Sequence, residues 1–124
     1  MMNPFYAQVY AVVKKIPYGK VVSYGKIAAA LNRPRSSREV GRAMRICPDD
    51  IPWQRVVMSD GSIAGGDYAN RRKELLIGEG VILLSNGRVD MKNYAIDPIE
   101  LEFITLSILS EIEASEEGAT PWSL

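Results

Sequence analysis

The chain has 124 residues, 47% hydrophobic and 24% charged, a length and composition that suit one globular domain with a real core. It contains one cysteine and no histidine, which excludes an internal disulfide, Ser–His and Cys–His nucleophile pairs and the common zinc ligand sets. The common hydrolytic and nucleophilic chemistries thus lose their general base, and no metal or cofactor is expected. No apolar run reaches the roughly 18 residues of a membrane helix, and the N-terminus lacks a basic-then-apolar pattern, so a cytoplasmic protein is expected.

The formal net charge is zero but strongly segregated. Residues 1–48 hold nine Lys/Arg against Glu39 alone, a net +8. Residues 49–96 hold six bases and seven acids, and residues 97–124 seven acids and no base, −1 and −7 respectively. A basic first half reads as a nucleic-acid footprint. The acidic end reads as a solvated tail, a partner site or an internal competitor for the basic surface.

In chain order, Asn3-Pro4 caps a first helix over 4–15, with Phe5, Val9, Val12, Val13 and Ile16 at helical spacing. After the turn Pro17-Tyr18-Gly19-Lys20, Ser23 caps a second helix over 24–31 that buries Ile27 and Leu31. Asn32-Arg33-Pro34-Arg35 breaks it. Ser36 and Glu39 then have the spacing of a capping box for a third helix over 37–45. Two short helices around such a break predict a helix-turn-helix. Residues 55–58 read as a strand leading into the turn Ser59-Asp60-Gly61-Ser62. Asp67 is positioned to cap a fourth helix ending near Gly80. Residues 81–84 and 88–91 form a hairpin around Asn86-Gly87. Asp97-Pro98 caps a last helix carrying the stripe Leu101, Ile104, Ile108 and Ile112.

Arg38, Arg42 and Arg45 share one face of the third helix, with Val40 and Met44 opposite. A guanidinium stripe after a turn suits a DNA groove; the alternative is a solvated basic face. Gly41, mid-helix, costs roughly 1 kcal/mol against alanine, which suggests close approach of DNA or another helix. Trp53, in I-P-W-Q-R-V-V (51–57), is either a core aromatic or part of a site.

Four blocks together resemble a known family. I-P-Y-G-K-V-V-S-Y-G-K-I-A-A-A-L (16–31), R-E-V-G-R-A-M-R (38–45), I-P-W-Q-R-V-V (51–57) and L-L-I-G-E-G-V (75–81) are similar to the DNA-binding domain of O(6)-alkylguanine-DNA alkyltransferases. The resemblance spans roughly residues 3–90. Those enzymes carry I-P-C-H-R-V, whose cysteine takes the alkyl group. Trp53 and Gln54 stand at the Cys and His positions, the pattern of the non-catalytic alkyltransferase-like proteins.

The resemblance implies a mostly α, winged helix-turn-helix-like domain with a small β component over 1–96; the acidic helix and tail expected over 97–124 are an addition that it does not explain. It implies double-stranded DNA containing alkylated guanine as the partner, with the base flipped into a pocket and no alkyl transfer, and a nucleoid-associated protein that flags lesions for nucleotide excision repair proteins. Arg38 resembles the arginine that fills the gap left by the flipped base from the minor groove. Tyr24 resembles the tyrosine that helps rotate the base outward. Ser36, Ser37, Gly41, Arg42, Arg45 and Ser59 complete the expected DNA-binding set. Tyr24, Trp53, Gln54, Arg55 and Val56 form the expected lesion pocket. Glu79, the acid of the enzymes' Cys–His relay, is left with a structural role.

Two departures matter to the site. Cys47 stands where the enzymes have Asn and is the one conceivable substitute nucleophile, although Asp49 and Asp50 nearby are expected to raise its pKa. A lesion-facing arginine of some relatives falls by spacing near Gly66, and Arg71 and Arg72, further on, are not assigned that role. The alternatives are an alkyltransferase using Cys47 and a sequence-specific winged-helix regulator.

Overall fold

The Asn3 side chain accepts the Phe5 amide at 2.9 Å and Pro4 follows, so α1 (Pro4–Lys14) starts at its cap signal. The computed structural model describes residues 3–63 and 66–118, the side chains of Asp67 and 113–118 excepted. Val9, Val12 and Val13 of α1 are fully enclosed.

Strand β1 (Val22–Ser23) pairs in parallel with β2 (Val56–Val57), in the register Val22 with Val56 and Ser23 with Val57. This short sheet brings together the entry to α2 (Tyr24–Ala30) and the exit from the Trp53 loop. The Ser23 hydroxyl accepts the Lys26 amide at 3.1 Å, as the cap signal predicts. Asn32, with φ 62°, takes the chain out of α2, and α3 (Ser37–Arg45) follows. The buried Tyr10 hydroxyl donates to the Ala43 carbonyl at 2.7 Å and locks α3 onto α1.

The predicted capping box is not formed: the Ser36 hydroxyl makes no cap bond. Glu39 instead pairs with Arg33 Nη2 at 3.2 Å, and that guanidinium lies 4.2 Å from the Phe5 ring centroid. The Ser36 amide that Glu39 would accept from donates instead to the Arg33 carbonyl at 2.9 Å.

The second half is less regular than its patterns predict. The strand predicted over 55–58 is a 3₁₀ turn, Trp53–Arg55, followed by the two residues of β2. Helix α4 (Ala69–Gly78) stops short of Gly80; its N-cap residue is Tyr68, and the predicted Asp67 cap lies outside the described side chains. The hairpin narrows to one bridge, Leu83 with Val89. Gly87 has φ 84° while Asn86 is not left-handed, and Leu84 donates to the Arg88 carbonyl, so the loop has three residues rather than an Asn-Gly pair. Met91 leaves the predicted strand and opens α5 (Met91–Tyr94).

Asp97 accepts the Ile99 amide at 2.8 Å and starts α6 (Pro98–Gly118), which packs on α1 and α2. Of its predicted stripe, Leu101 and Ile108 are buried and Ile104 and Ile112 half-buried. Ile99, Phe103 and Leu106 point outward. The result is mostly helical, with a helix-turn-helix of α2 and α3 and a minimal sheet. No described helix is long and apolar enough to cross a membrane.

Candidate nucleic-acid interface

The amphipathic period of α3 turns Val40, Ala43 and Met44 into the core, which leaves Arg38, Arg42 and Arg45 exposed on the opposite face. All three line a cleft of about 940 Å³, together with Ser37 and Gly41. Among the described residues none of the three arginines has a carboxylate within ion-pair distance, so their charge faces outward.

A methyl group added at Gly41 meets nothing within 4 Å, so no neighbouring helix accounts for this glycine. Alanine is the better helix former by up to about 1 kcal/mol. Gly41→Ala is therefore expected to raise Tm slightly while weakening DNA binding, read by thermal melts and a duplex titration. Unchanged DNA affinity in a stabilised variant contradicts close approach at this position.

Across the cleft stand Tyr24, Trp53 and Tyr68. Trp53 is half-buried against the main core and meets Tyr68 edge-on, with ring centroids 6.4 Å apart at 77°. Its 3₁₀ turn is held from behind by Glu79. Gln54 Nε2 donates to Glu79 Oε2 at 2.7 Å, Arg55 Nε to Oε1 at 3.0 Å, and the Gly19 amide to Oε1 at 2.7 Å. Arg55 Nη1 also donates to the Ile16 carbonyl at 2.7 Å. Burial alone would raise the Glu79 pKa, but these donors outweigh it and hold the carboxyl below the usual glutamate range.

Of the predicted pocket residues, Tyr24 and Trp53 therefore face the cleft. Gln54 and Arg55 are committed to Glu79 behind it, and Val56 is enclosed in the sheet. Of the predicted DNA contacts, Ser36 precedes α3 outside the lining. Ser59 borders a second cleft, between β1, α2 and α6.

Arg72, to which the sequence assigns no role, also lines the cleft. Its Nη1 donates to the Tyr24 hydroxyl at 3.1 Å and to the Val56 carbonyl at 3.4 Å, and its guanidinium lies 5.2 Å from the Trp53 ring centroid. The signal was its spacing: Arg72 and the fully buried Leu76 are four apart on α4, so both face inward, whereas Arg71 pairs with Glu74 in solvent. Cys47 also lines the cleft, with its thiol donating to the Pro48 carbonyl at 3.4 Å. Burial pushes that thiol's pKa up; Arg72 opposes this, and Asp49 and Asp50 add to it. The thiol therefore stays protonated and a poor nucleophile.

Residues 4–81 match the family described as 6-O-methylguanine DNA methyltransferase, DNA binding domain. A DNA base-flipping protein of Vibrio parahaemolyticus is 36% identical over 100 residues, 78% of this chain and all of that one. The alkyltransferase-like protein 1 of Schizosaccharomyces pombe is 44% identical over 64% of this chain and 79% of its own length. Among solved structures, S. pombe Atl1 in complex with damaged DNA containing O6-carboxymethylguanine superimposes with a TM-score of 0.69 at 37% identity, covering 79% of this chain and 99% of that one.

Proposed function

Because the chain belongs to the 6-O-methylguanine DNA methyltransferase DNA-binding domain family, we propose that it binds O(6)-alkylguanine in duplex DNA, flips the damaged base into the Trp53 cleft and leaves the alkyl group in place. The observation that carries this reading is the composition of the cleft, lined by the α3 arginines, which have no ion-pair partner among the described residues, and by Trp53 and Tyr24. Trp53 offers an aromatic wall where the enzymes have their cysteine, and an indole does not attack an ether carbon. Gln54, at the histidine position, is an amide engaged with Glu79 and unable to act as a general base. Ser37 and Gly41 let the DNA backbone come close, while Arg38 enters the stack and Arg42 and Arg45 neutralise phosphates.

Flipping costs a few kcal/mol, and less at a weakly paired lesion, which itself favours damaged sites. A protein that binds a lesion without removing it needs a downstream activity, and we assign that step to nucleotide excision repair proteins. Loss of alkylation resistance on deleting the gene, absent when excision repair is also missing, is the expected genetic result.

The direct test incubates the protein with duplexes carrying O6-methylguanine or guanine and follows binding and intact protein mass. Tighter binding to the lesion with no mass gain is the expected result. A stable gain of one methyl group supports instead an alkyltransferase acting through Cys47, the thiol that lines the cleft. Sequence preference without lesion preference supports a regulator. In the same assay Arg38→Ala is expected to weaken lesion binding by roughly 1–3 kcal/mol. An equal loss on damaged and undamaged DNA contradicts insertion of Arg38 into the stack.

A further inference from the structure

Arg72 is only 7% exposed, yet it lines the cleft beside Trp53. A guanidinium this enclosed is costly unless its charge is met. The groups around it are neutral: the Tyr24 hydroxyl, the Val56 carbonyl and the face of the Trp53 indole. Both of its hydrogen bonds come from Nη1, and the buried Nε has no partner among the described residues. No described carboxylate lies within ion-pair distance of it. Its field reaches the other side of the cleft, where it opposes the burial-driven rise of the Cys47 thiol pKa. Asp49, an acid on the lining, is exposed at the solvent side.

A helix side chain that served only to tie α4 to β2 would need donors but no charge. Among the described residues the charge is unmatched, and it lies next to the aromatic wall against which a flipped base would rest. A ligand carboxylate can supply the missing counter-charge, and Arg is the side chain whose fork suits one. Building on the lesion-binding reading above, we infer that Arg72 makes the cleft selective for guanines whose O(6) substituent ends in a carboxylate over neutral substituents of the same size. The adduct's acid would accept from the free edge of the guanidinium, beside the indole rather than over its electron-rich face, while Tyr24 stays bonded to Nη1.

The test uses the full chain and three duplexes that differ at one base: O6-carboxymethylguanine, its neutral isostere O6-carbamoylmethylguanine, and guanine. Affinities are read by fluorescence anisotropy. The carboxymethyl duplex is expected to bind about tenfold tighter or more than the carbamoylmethyl duplex, the scale of one charge-assisted contact. Arg72→Met, which keeps the apolar stem, should erase the difference between the acid and amide duplexes, whatever it does to their common affinity. Arg72→Lys should keep part of it. Equal wild-type affinity for the two adducts, both still preferred to guanine, overturns the role of Arg72 and leaves lesion binding intact. A carboxylate preference that survives in Arg72→Met overturns it equally. Affinity that is the same for all three duplexes brings down the lesion-binding reading itself. If Arg72→Met does not fold, Arg72→Gln, which keeps hydrogen-bond donors without the charge, takes its place, and a carboxylate preference that survives there overturns the role of Arg72 equally.

Discussion

Truncation after Ile96 is expected to cost about 3–6 kcal/mol of stability, from two side chains alone. Leu101 and Ile108 are 5% and 4% exposed against α1 and α2, and full burial of such a residue contributes about 1.5–3 kcal/mol. Domains are stable by only about 5–15 kcal/mol in total, so Tm should fall by about 10 °C or more and soluble yield with it. Leu101→Ala and Ile108→Ala should each reproduce part of the loss. Phe103→Ser, at an outward position, should leave Tm near wild type. The acidic charge of this segment leaves a second possibility, that α6 shields the basic face. None of its described residues lines the Arg38 cleft, so truncation should not tighten binding to undamaged DNA, even at low salt. Tighter binding with unchanged Tm would reverse the assignment and make α6 an inhibitory cover. We propose accordingly that 97–124 completes the domain formed by 1–96.

The features that were legible in the sequence are those decided within one helical turn. Asn3, Ser23 and Asp97 cap helices through amides two or three residues on, and each does so in the structure. The arginine face of α3 follows from the helical period alone. The features that were not legible depend on residues distant in sequence. Ser36 and Glu39 have the spacing of a capping box, but Arg33, folded against Phe5, takes the carboxylate. The run 81–91 alternates like a hairpin, yet one bridge forms, because Val81 and Val89 pack into a small second core with Val21, Val57 and Leu76. Trp53, Gln54 and Arg55 are adjacent in sequence, which predicts one pocket, but of the three only Trp53 lines the cleft. The direction of the other two is set by Glu79, 25 and 24 residues away. Arg72 was hidden for the same reason: its partners, Tyr24 and Val56, lie 48 and 16 residues off. Tertiary contacts decide which of the expected side chains line the cleft.

Glu79→Leu is expected to destabilise the protein by about 3–5 kcal/mol, the scale for removing one partner of a buried ion pair. The side chains of Glu79 and Arg55 are 5% and 14% exposed, so solvent cannot replace the lost carboxylate. The Gly19 amide and the Gln54 amide lose their acceptor in the same step. Replacing both charged partners, Glu79→Leu with Arg55→Met, should recover part of the loss, since no charge is then stranded. The effect also has a pH signature. The donors around Glu79 hold its folded pKa below the unfolded one, against the opposing effect of burial. Between those two values the unfolded chain binds more protons than the folded one, so stability rises with pH. The contribution is complete above the usual glutamate range and is lost as pH falls through the lowered folded value. Wild type should thus lose stability in acid more steeply than Glu79→Gln, which has no proton to take up. Parallel acid-denaturation curves for the two would show that the carboxylate charge contributes nothing. The consequence for DNA follows from geometry: Glu79 fixes the turn that carries Trp53, so Glu79→Gln should weaken discrimination between damaged and undamaged duplexes more than it weakens binding to DNA as such. A variant that keeps full discrimination would separate the Glu79 hub from the position of Trp53.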